Sequence, residues 1–367
     1  MRLVNENRQK FLILRLIIVI LTLFVALSFA SSPVLAQKEA NQKVVLVLDW
    51  TPNIFQHFIF TPLGLGFYEE EGIDLEWISP TDEYTSIRLV ATGKANLGIA
   101  MNDVPIIGIV NEQMPVKVIS TISPHMSLGF ITIKKDVPKL SDLKGKTIGV
   151  NDTPFWRAAV FNLLKEVGLD KDDVDIVDPG FTVLSPLLAG KLALSCGNFP
   201  FEYLGAEYGT PESISDVRFT PIAPDYGPIS NFNLFVNTKW AEENSDTVKR
   251  FLDATLRGMK YSLDHPGEAV DIFRKDYPTY SREDELSRFL LSAEQFVTSY
   301  TNDKGLGWND PEEWQALIDF CYDAGALDRR VEASEIITNE YMPKIKYVPE
   351  VVILTSTWGE NIWLPKR

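Results

Sequence analysis

Cysteine and histidine are scarce in this sequence, with two cysteines and three histidines among 367 residues. Cys196 and Cys321 are too few for the disulfide framework of a small secreted protein, and we expect both to be buried thiols without a disulfide. The histidines, His57, His125 and His265, show neither HExxH nor clustered Cys/His spacing, so no metal site is predicted. A GxSxG elbow and a Walker A loop are also missing, and no cofactor is expected.

Positive charge is also in deficit, because 35 Lys and Arg residues face 50 Asp and Glu residues, for a net charge of −15. Such an acidic protein is a poor partner for nucleic acid or for an anionic membrane surface. After the first 36 residues no apolar run approaches the roughly 20 residues that span a membrane. The length suits two lobes, and 45% hydrophobic residues can fill their cores.

The first 36 residues have the pattern of a signal peptide. Arg2, Arg8 and Lys10 form a basic start, residues 16–27 are a continuous apolar run, and Val34 and Ala36 stand at the small-residue positions of a cleavage site. We therefore predict export to the periplasm or another extracytoplasmic space. Cleavage after residue 30 and retention as an uncleaved anchor are the alternatives.

Strand and helix patterns alternate after the signal segment. Apolar runs predict strands at 44–48, 73–78, 97–100 and 116–122, with helices at 84–92 and 104–110 between them. This alternation is typical of a parallel α/β lobe, whose ligands lie beyond the carboxyl ends of the strands. Those ends carry Asp49, Trp50, Asn53 and Asn102.

A second α/β series follows and then gives way to helices. Strands are predicted at 130–134, 147–150, 174–177, 192–196, 219–222 and 234–236, with helices at 158–167 and 201–208. From residue 240 onward the patterns are helical. We therefore predict an α/β clamshell with two lobes. Its parts are a signal peptide at 1–36, lobe 1 at 37–129, lobe 2 at 130–233, and the helical return to lobe 1 with a C-terminal tail at 234–367.

Six segments of the chain resemble one family, in its order and spacing. They are LDWTPN at 48–53, GFYEEEGIDLE at 66–76, VATGKANLG at 90–98, LKGKTIGV at 143–150, LAGK at 188–191 and TNEYMP at 338–343. They are similar to the ABC-transporter substrate-binding proteins for pyrimidine precursors of thiamine, which share a fold with hydroxymethylpyrimidine phosphate synthases. The resemblance implies a type II-like periplasmic-binding-protein fold. It also implies a small ligand bound between the lobes and docking on an ABC permease. We expect a monomer without catalytic activity.

Trp50 and Glu202 are the two main candidates for ligand contacts. An indole at a strand end can stack on a flat heteroaromatic ring, although it can equally be a core residue. Glu202 ends the segment NFPFE. Its carboxylate can accept from the amino group of an aminopyrimidine and, if the ring is protonated, from the ring N–H as well, unless it only interacts with a helix N-terminus. Phe199 and Phe201 replace tryptophans that are common in the family, and either can be a second wall for the ring.

Further polar candidates are Asp49, Asn53, Asn102, Asn151 and Tyr226, at predicted strand ends or near the return crossing. Such groups orient a ligand in an otherwise apolar cleft, but each alone is also an ordinary turn or cap residue.

Two alternatives are kept open. The first is another solute, such as a flavin, a sulfonate, nitrate or bicarbonate. An anion would need a cation in the cleft, and Arg157 is the one cation in the candidate segments. A side chain of Arg157 that points into the cleft would favour an anionic ligand, and one that points to solvent would disfavour it. The second is a synthase. The synthases resembled here have a histidine six positions after the tryptophan, where this chain has Gln56, and a cysteine-rich run where this chain has residues 226–231 without cysteine.

Overall fold

The structure of the chain is a computed structural model. It describes residues 41–101, 103–125, 128–198, 217–222, 232–298 and 301–347, together with Arg15. The described residues from 41 onward belong to one compact unit. None of the helices in this part of the chain is long and apolar enough to cross a membrane.

The first sheet has five strands in the order β2-β1-β3-β10-β4. β1 pairs in parallel with both β2 and β3, while β10 runs antiparallel to β3 and β4. The strand bounds are β1 Gln42–Val47, β2 Ile73–Ile78, β3 Leu97–Met101, β4 Val116–Thr121 and β10 Phe232–Asn237. Apolar residues point to both faces of the central strands and are buried there, as in a sheet with helices on both sides.

The second sheet also has five strands, in the order β7-β6-β8-β5-β9. β6 is parallel to β7 and β8, and β5 is antiparallel to β8 and β9. The bounds are β5 Leu128–Ile133, β6 Thr147–Gly149, β7 Asp175–Val177, β8 Leu194–Asn198 and β9 Val217–Pro221. We call the first sheet with its helices lobe 1 and the second sheet with its helices lobe 2.

The helices in the described part of the chain are numbered α1 to α13. Their bounds are α1 His57–Leu65, α2 Phe67–Glu70, α3 Thr85–Ala91, α4 Asp103–Val110, α5 Pro154–Glu166, α6 Leu184–Leu188, α7 Thr238–Glu243, α8 Ser245–Asp264, α9 Pro266–Asp276, α10 Arg282–Ser292, α11 Thr301–Lys304, α12 Pro311–Asp323 and α13 Ala333–Ile336. The longest, α8, packs closely on α1, and a Cβ at Gly258 would come within 2.4 Å of Pro62. Glycine at this position therefore allows the two helix backbones to approach.

The C-terminal helices pack on lobe 1 through a buried tryptophan. Trp314 on α12 is 1% exposed, and its indole N–H donates to the hydroxyl of Thr121 at the end of β4, at 2.8 Å. Phe320 on the same helix meets Phe155 of lobe 2 edge-on, with ring centroids 5.7 Å apart. Both cysteines are buried and form no disulfide, as predicted.

One predicted helix begins earlier than expected. The sequence predicts a helix over 158–167, whereas α5 begins at Pro154. The hydroxyl of Thr153 accepts from the N–H of Trp156 at 3.2 Å, and Pro154 occupies the first turn, where its missing N–H costs nothing. This early start brings Trp156 to the edge of lobe 2. The helix predicted over 201–208 lies outside the described residues.

Candidate functional site

A cavity lies between the two lobes, at the carboxyl ends of β1 and β3. It holds about 520 Å³ of empty space, counting the part that opens to solvent. Lobe 1 lines it with Asp49, Trp50, Asn53, Phe55, Glu83, Met101 and Phe232. Lobe 2 lines it with Leu128, Asn151, Trp156, Val183, Cys196, Gly197 and Asn198. We call it the first cavity.

Hydrogen bonds fix the turn that follows β1. The Asn53 side chain accepts from the N–H of Phe55 at 2.9 Å, and the Gln56 side-chain oxygen accepts from the N–H of Asn53 at 3.1 Å. The amide nitrogen of Gln56 donates to Asp49 at 2.9 Å. Gln56 therefore holds both ends of the turn, and Asp49 and Trp50 are presented to the cavity from a fixed backbone.

Trp50 contacts an aromatic ring of the opposite lobe. The centroids of Trp50 and Phe181 are 3.8 Å apart, and the rings are tilted by 47°. Phe181 lies in the loop between β7 and α6, and both side chains are half-buried. One face of the indole is thus covered by lobe 2 in this structure.

The side chain of Asn151, which follows β6, makes two hydrogen bonds within lobe 2. Its amide nitrogen donates to the carbonyl of Gly180 at 3.1 Å, and its oxygen accepts from the thiol of Cys196 at 2.8 Å. The first bond braces the loop that carries Phe181. Asn151 lines the cavity, but these two bonds also give it a structural role that the sequence did not reveal.

Arg157 is directed away from the cavity. Its guanidinium is 55% exposed and pairs with the exposed carboxylate of Asp152. That pairing raises the pKa of Arg157 and lowers that of Asp152. Neither residue is among those that line the cavity.

A second cavity adjoins the first and is more acidic. It shares Asp49, Glu83, Met101, Leu128 and Trp156 with the first, and adds Ala100, Asp103, Val104 and Phe155. Asp103 is the first residue of α4 and is 4% exposed. Its Oδ2 atom is buried and has no hydrogen-bond partner among the described residues.

Burial makes the three carboxyl groups of these cavities weak acids. It raises the pKa of Asp49 to about 6, against a hydrogen bond from Gln56 that lowers it. It raises the pKa of Asp103 to about 7, although backbone N–H groups, including that of Phe155, oppose the shift. Burial and then the charges of Asp103, Asp178 and Asp82 raise the pKa of Glu83 to about 8. In the described part of the chain, no three Cys, His, Asp or Glu side chains are grouped as a metal site requires.

Four of the predicted site residues come together. Asp49, Trp50, Asn53 and Asn151 all line the first cavity, from both lobes. Glu202, Asn102, Phe199, Phe201 and Tyr226 lie outside the described residues.

The sequence reasoning did not single out four residues of the cleft. Asp103 ends the predicted strand-end segment at 101–103, so its position was a usable signal. Trp156 precedes the predicted helix at 158–167, because the start of that helix was placed too late. Glu83 and Phe181 stand in loops where no pattern marks them, and only the approach of the two lobes reveals them.

The sequence profile of the family described as "NMT1/THI5 like" matches residues 55–269. The chain belongs to this family. Three proteins that are similar to the chain carry different functional names. A formylaminopyrimidine-binding protein of Halalkalibacterium halodurans is 24% identical over 333 residues, which cover 87% of this chain and 98% of that protein. The riboflavin-binding protein RibY of Chloroflexus aurantiacus is 25% identical over 318 residues, or 83% of this chain and 88% of the relative.

The third relative is named as an enzyme. It is a 4-amino-5-hydroxymethyl-2-methylpyrimidine phosphate synthase of Legionella pneumophila, 22% identical over 315 residues, or 85% of this chain and 96% of the relative. Both binding proteins and synthases are therefore similar to the chain.

Among solved structures, the alkanesulfonate-binding protein SsuA of Xanthomonas axonopodis superposes with a TM-score of 0.61 at 12% identity, covering 81% of this chain and 98% of SsuA. At this identity the likeness concerns the fold. Together with the two five-stranded sheets, it confirms the predicted α/β clamshell.

Proposed function

We propose that the protein is a non-catalytic solute-binding protein that holds a small heteroaromatic ligand, a pyrimidine precursor of thiamine, between its lobes. The observation that carries this proposal is the cavity between the lobes, lined by the aromatic ring of Trp50 and by the polar groups of Asp49, Asn53 and Asn151. An apolar cleft with a few convergent polar groups is typical of small-molecule sites. Membership of the family and its formylaminopyrimidine-binding relative add support.

The charge of the cleft disfavours an anionic ligand. Sulfonate, nitrate and bicarbonate need Arg, Lys or bare helix N-termini as partners. Arg157 faces solvent and pairs with Asp152, and the two cavities instead present Asp49, Glu83 and Asp103. A flavin is the remaining rival, favoured by the riboflavin-binding relative.

The residues at and beside the position of the synthase histidine favour binding over catalysis. Gln56, which replaces the histidine of the synthases, has its amide committed to Asp49 and Asn53. His57 beside it is 1% exposed, and its Nδ1 lies 2.5 Å from the Ser262 hydroxyl. Burial lowers the pKa of His57 to about 3, so the imidazole stays neutral. His57 is not among the described residues that line the two cavities. We therefore propose that the chain has no synthase activity.

The cellular role is proposed from the sequence and the family. Residues 1–36 would direct export, lobe 1 would comprise 37–129 with 234–367, and lobe 2 would comprise 130–233. The exported monomer would hand its ligand to an ABC permease. We propose no nucleic-acid or membrane-surface partner, in line with the net charge of −15.

Thermal-shift screening of residues 37–367 tests the proposal. The panel contains aminopyrimidines, thiamine, riboflavin, sulfonates, nitrate and bicarbonate. A ligand at about 100 times its Kd adds roughly 2.7 kcal/mol of stability, which gives a clear shift. Stabilisation by an aminopyrimidine is the expected result. Stabilisation by an anion or by riboflavin alone would contradict the pyrimidine assignment.

A pair of variants links the shift to the cavity. Trp50→Ala removes the indole face and is expected to weaken pyrimidine binding about tenfold or more. Tyr322→Ala is the control, because Tyr322 is an exposed ring on α12 outside both cavities. Equal affinities for the two variants would exclude the cleft as the binding site.

A further inference from the structure

The second cavity contains an acidic group with one oxygen atom that lacks a hydrogen-bond partner among the described residues. Oδ2 of Asp103 is buried without a hydrogen bond among the described residues, and the side chain is 4% exposed. Glu83 and Asp49 line the same cavity. Buried carboxylates are ordinarily paired or hydrogen-bonded, because an ion without a partner loses its hydration and gains nothing in return. An unpaired oxygen in this position points to a group that is supplied from outside.

The described residues around the two cavities supply no cation there. Among the described residues that line the two cavities, none is Lys, Arg or His. The parts of 41–347 outside the description, which are 102, 126–127, 199–216, 223–231 and 299–300, also contain no Lys, Arg or His in their sequence. The charged residues in these segments are all acids in the sequence, namely Glu202, Glu207, Glu212, Asp216 and Asp225.

The arginines close in sequence to the cavity are committed elsewhere. Arg88 binds Asp82 through two contacts of 2.5 and 2.7 Å, and Arg157 pairs with Asp152. Both guanidinium groups are more than half exposed. A positive charge at Asp103 must therefore come with the ligand.

We propose that the ligand carries a primary ammonium group, which enters the second cavity and binds Asp103 and Glu83 while the ring of the ligand occupies the first cavity. This inference rests on the proposed function and narrows its substrate class to heteroaromatic amines with a charged side arm. The two cavities share five lining residues, so one molecule can reach both. The apolar neighbours Val104, Phe155 and Trp156 keep water from competing for the ion pair.

The raised pKa values agree with carboxyl groups that lie close together. Burial and then the charge of Asp103 raise the pKa of Glu83 to about 8, because two neighbouring negative charges disfavour each other. Burial and then the charge of Asp103 also raise the pKa of Tyr84, which directly precedes α3, and of the Cys321 thiol on α12. An ammonium group would relieve this repulsion.

The test compares three pyrimidines that differ at one substituent. Isothermal titration calorimetry of the purified protein at pH 7 measures the Kd of 4-amino-5-hydroxymethyl-2-methylpyrimidine and of its aminomethyl and formylaminomethyl analogues. Only the aminomethyl compound carries a side-arm ammonium. We expect it to bind about tenfold or more tightly than the other two. Equal or tighter binding of a neutral analogue overturns the inference and leaves the proposed function intact.

Variants test whether Asp103 and Glu83 cause the preference for the aminomethyl compound. Asp103→Asn keeps the shape of the side chain, and we expect it to weaken the aminomethyl compound about tenfold while the neutral compounds change about twofold or less. Glu83→Gln should act in the same direction. Asp74→Asn, an exposed acid on β2, is the control and should change nothing. An equal loss for all three compounds in Asp103→Asn overturns the inference, whereas the absence of binding by any pyrimidine overturns the proposed function with it.

Discussion

Trp50 and Phe181 touch across the cleft, with ring centroids 3.8 Å apart. Trp50 follows the first strand of lobe 1, and Phe181 belongs to a loop of lobe 2 that Asn151 braces through the carbonyl of Gly180. Non-bonded carbon atoms need about 3.5–4.0 Å, so no second ring fits between the two side chains as they stand. A ligand that stacks on this face of Trp50 must first displace Phe181.

Phe181→Ala is therefore expected to raise the association rate of the ligand, because it removes a ring that competes for the indole. Stopped-flow fluorescence with an aminopyrimidine measures the rate. Phe181→Trp, with a larger ring at the same position, serves as the opposite case and should slow association. An unchanged association rate with faster dissociation in Phe181→Ala would instead make Phe181 a wall of the occupied site.

Gln56→Ala should destabilise the turn after β1. The substitution removes the partner of the Asp49 carboxylate and of the Asn53 N–H, both of which are buried. An unsatisfied buried polar group costs about 1–3 kcal/mol, and we expect a loss of that order in the free energy of unfolding, measured with urea. Thr51→Ala alters an exposed side chain of the same turn and should have little effect. Equal stability of both variants would show that the turn does not depend on Gln56.

The stability of the unliganded protein should fall as pH rises from about 4 to 7 through the contribution of Asp103. The pKa of this group rises from 3.8 in the unfolded chain to about 7 in the folded protein. Between these values the folded state binds more protons than the unfolded state, so raising the pH favours unfolding. Glu83 and Asp49, with pKa values raised to about 8 and about 6, act in the same sense.

Asp103→Asn tests this pH dependence, because it removes the titrating group and keeps its size. We expect the variant to be more stable than the parent by about 1–3 kcal/mol at pH 8, with the difference vanishing near pH 4. Urea unfolding at both pH values, without ligand, measures it. A constant difference at the two pH values would mean that Asp103 does not carry a raised pKa.

Binding of a cationic pyrimidine should release protons at pH 7. Glu83 and Asp103 are partly protonated in the empty cavity, since their pKa values are near or above that pH, and an ammonium group lowers both values. Calorimetric titrations in buffers of different ionisation enthalpy count the protons. The release should decrease in Asp103→Asn, and proton uptake would contradict the expected pairing.

The sequence predicted the architecture well because buried parallel strands leave a local signal. β2 occupies Ile73–Ile78, as its alternating pattern indicated, and the apolar runs of the other strands lie within a few residues of their observed bounds. Asp49, Trp50 and Asn53 were found for the same reason, since they follow a recognisable strand and strand ends converge at one edge of a sheet.

The tertiary structure alone decided which partners these residues have. Phe181 reaches Trp50 from a loop of the opposite lobe, which carries no periodic pattern. Glu83 and Asp103 both belong to lobe 1, and the fold brings them close enough for their charges to interact. The bonds of Asn151 to Gly180 and Cys196 could not be inferred from its turn position. The sequence by itself determined the strands, the alternation of two α/β series and the excess of acidic over basic residues. The approach of the lobes determined that one carboxylate, Asp103, is buried there without a counter-charge, because burial and distance are properties of the folded chain.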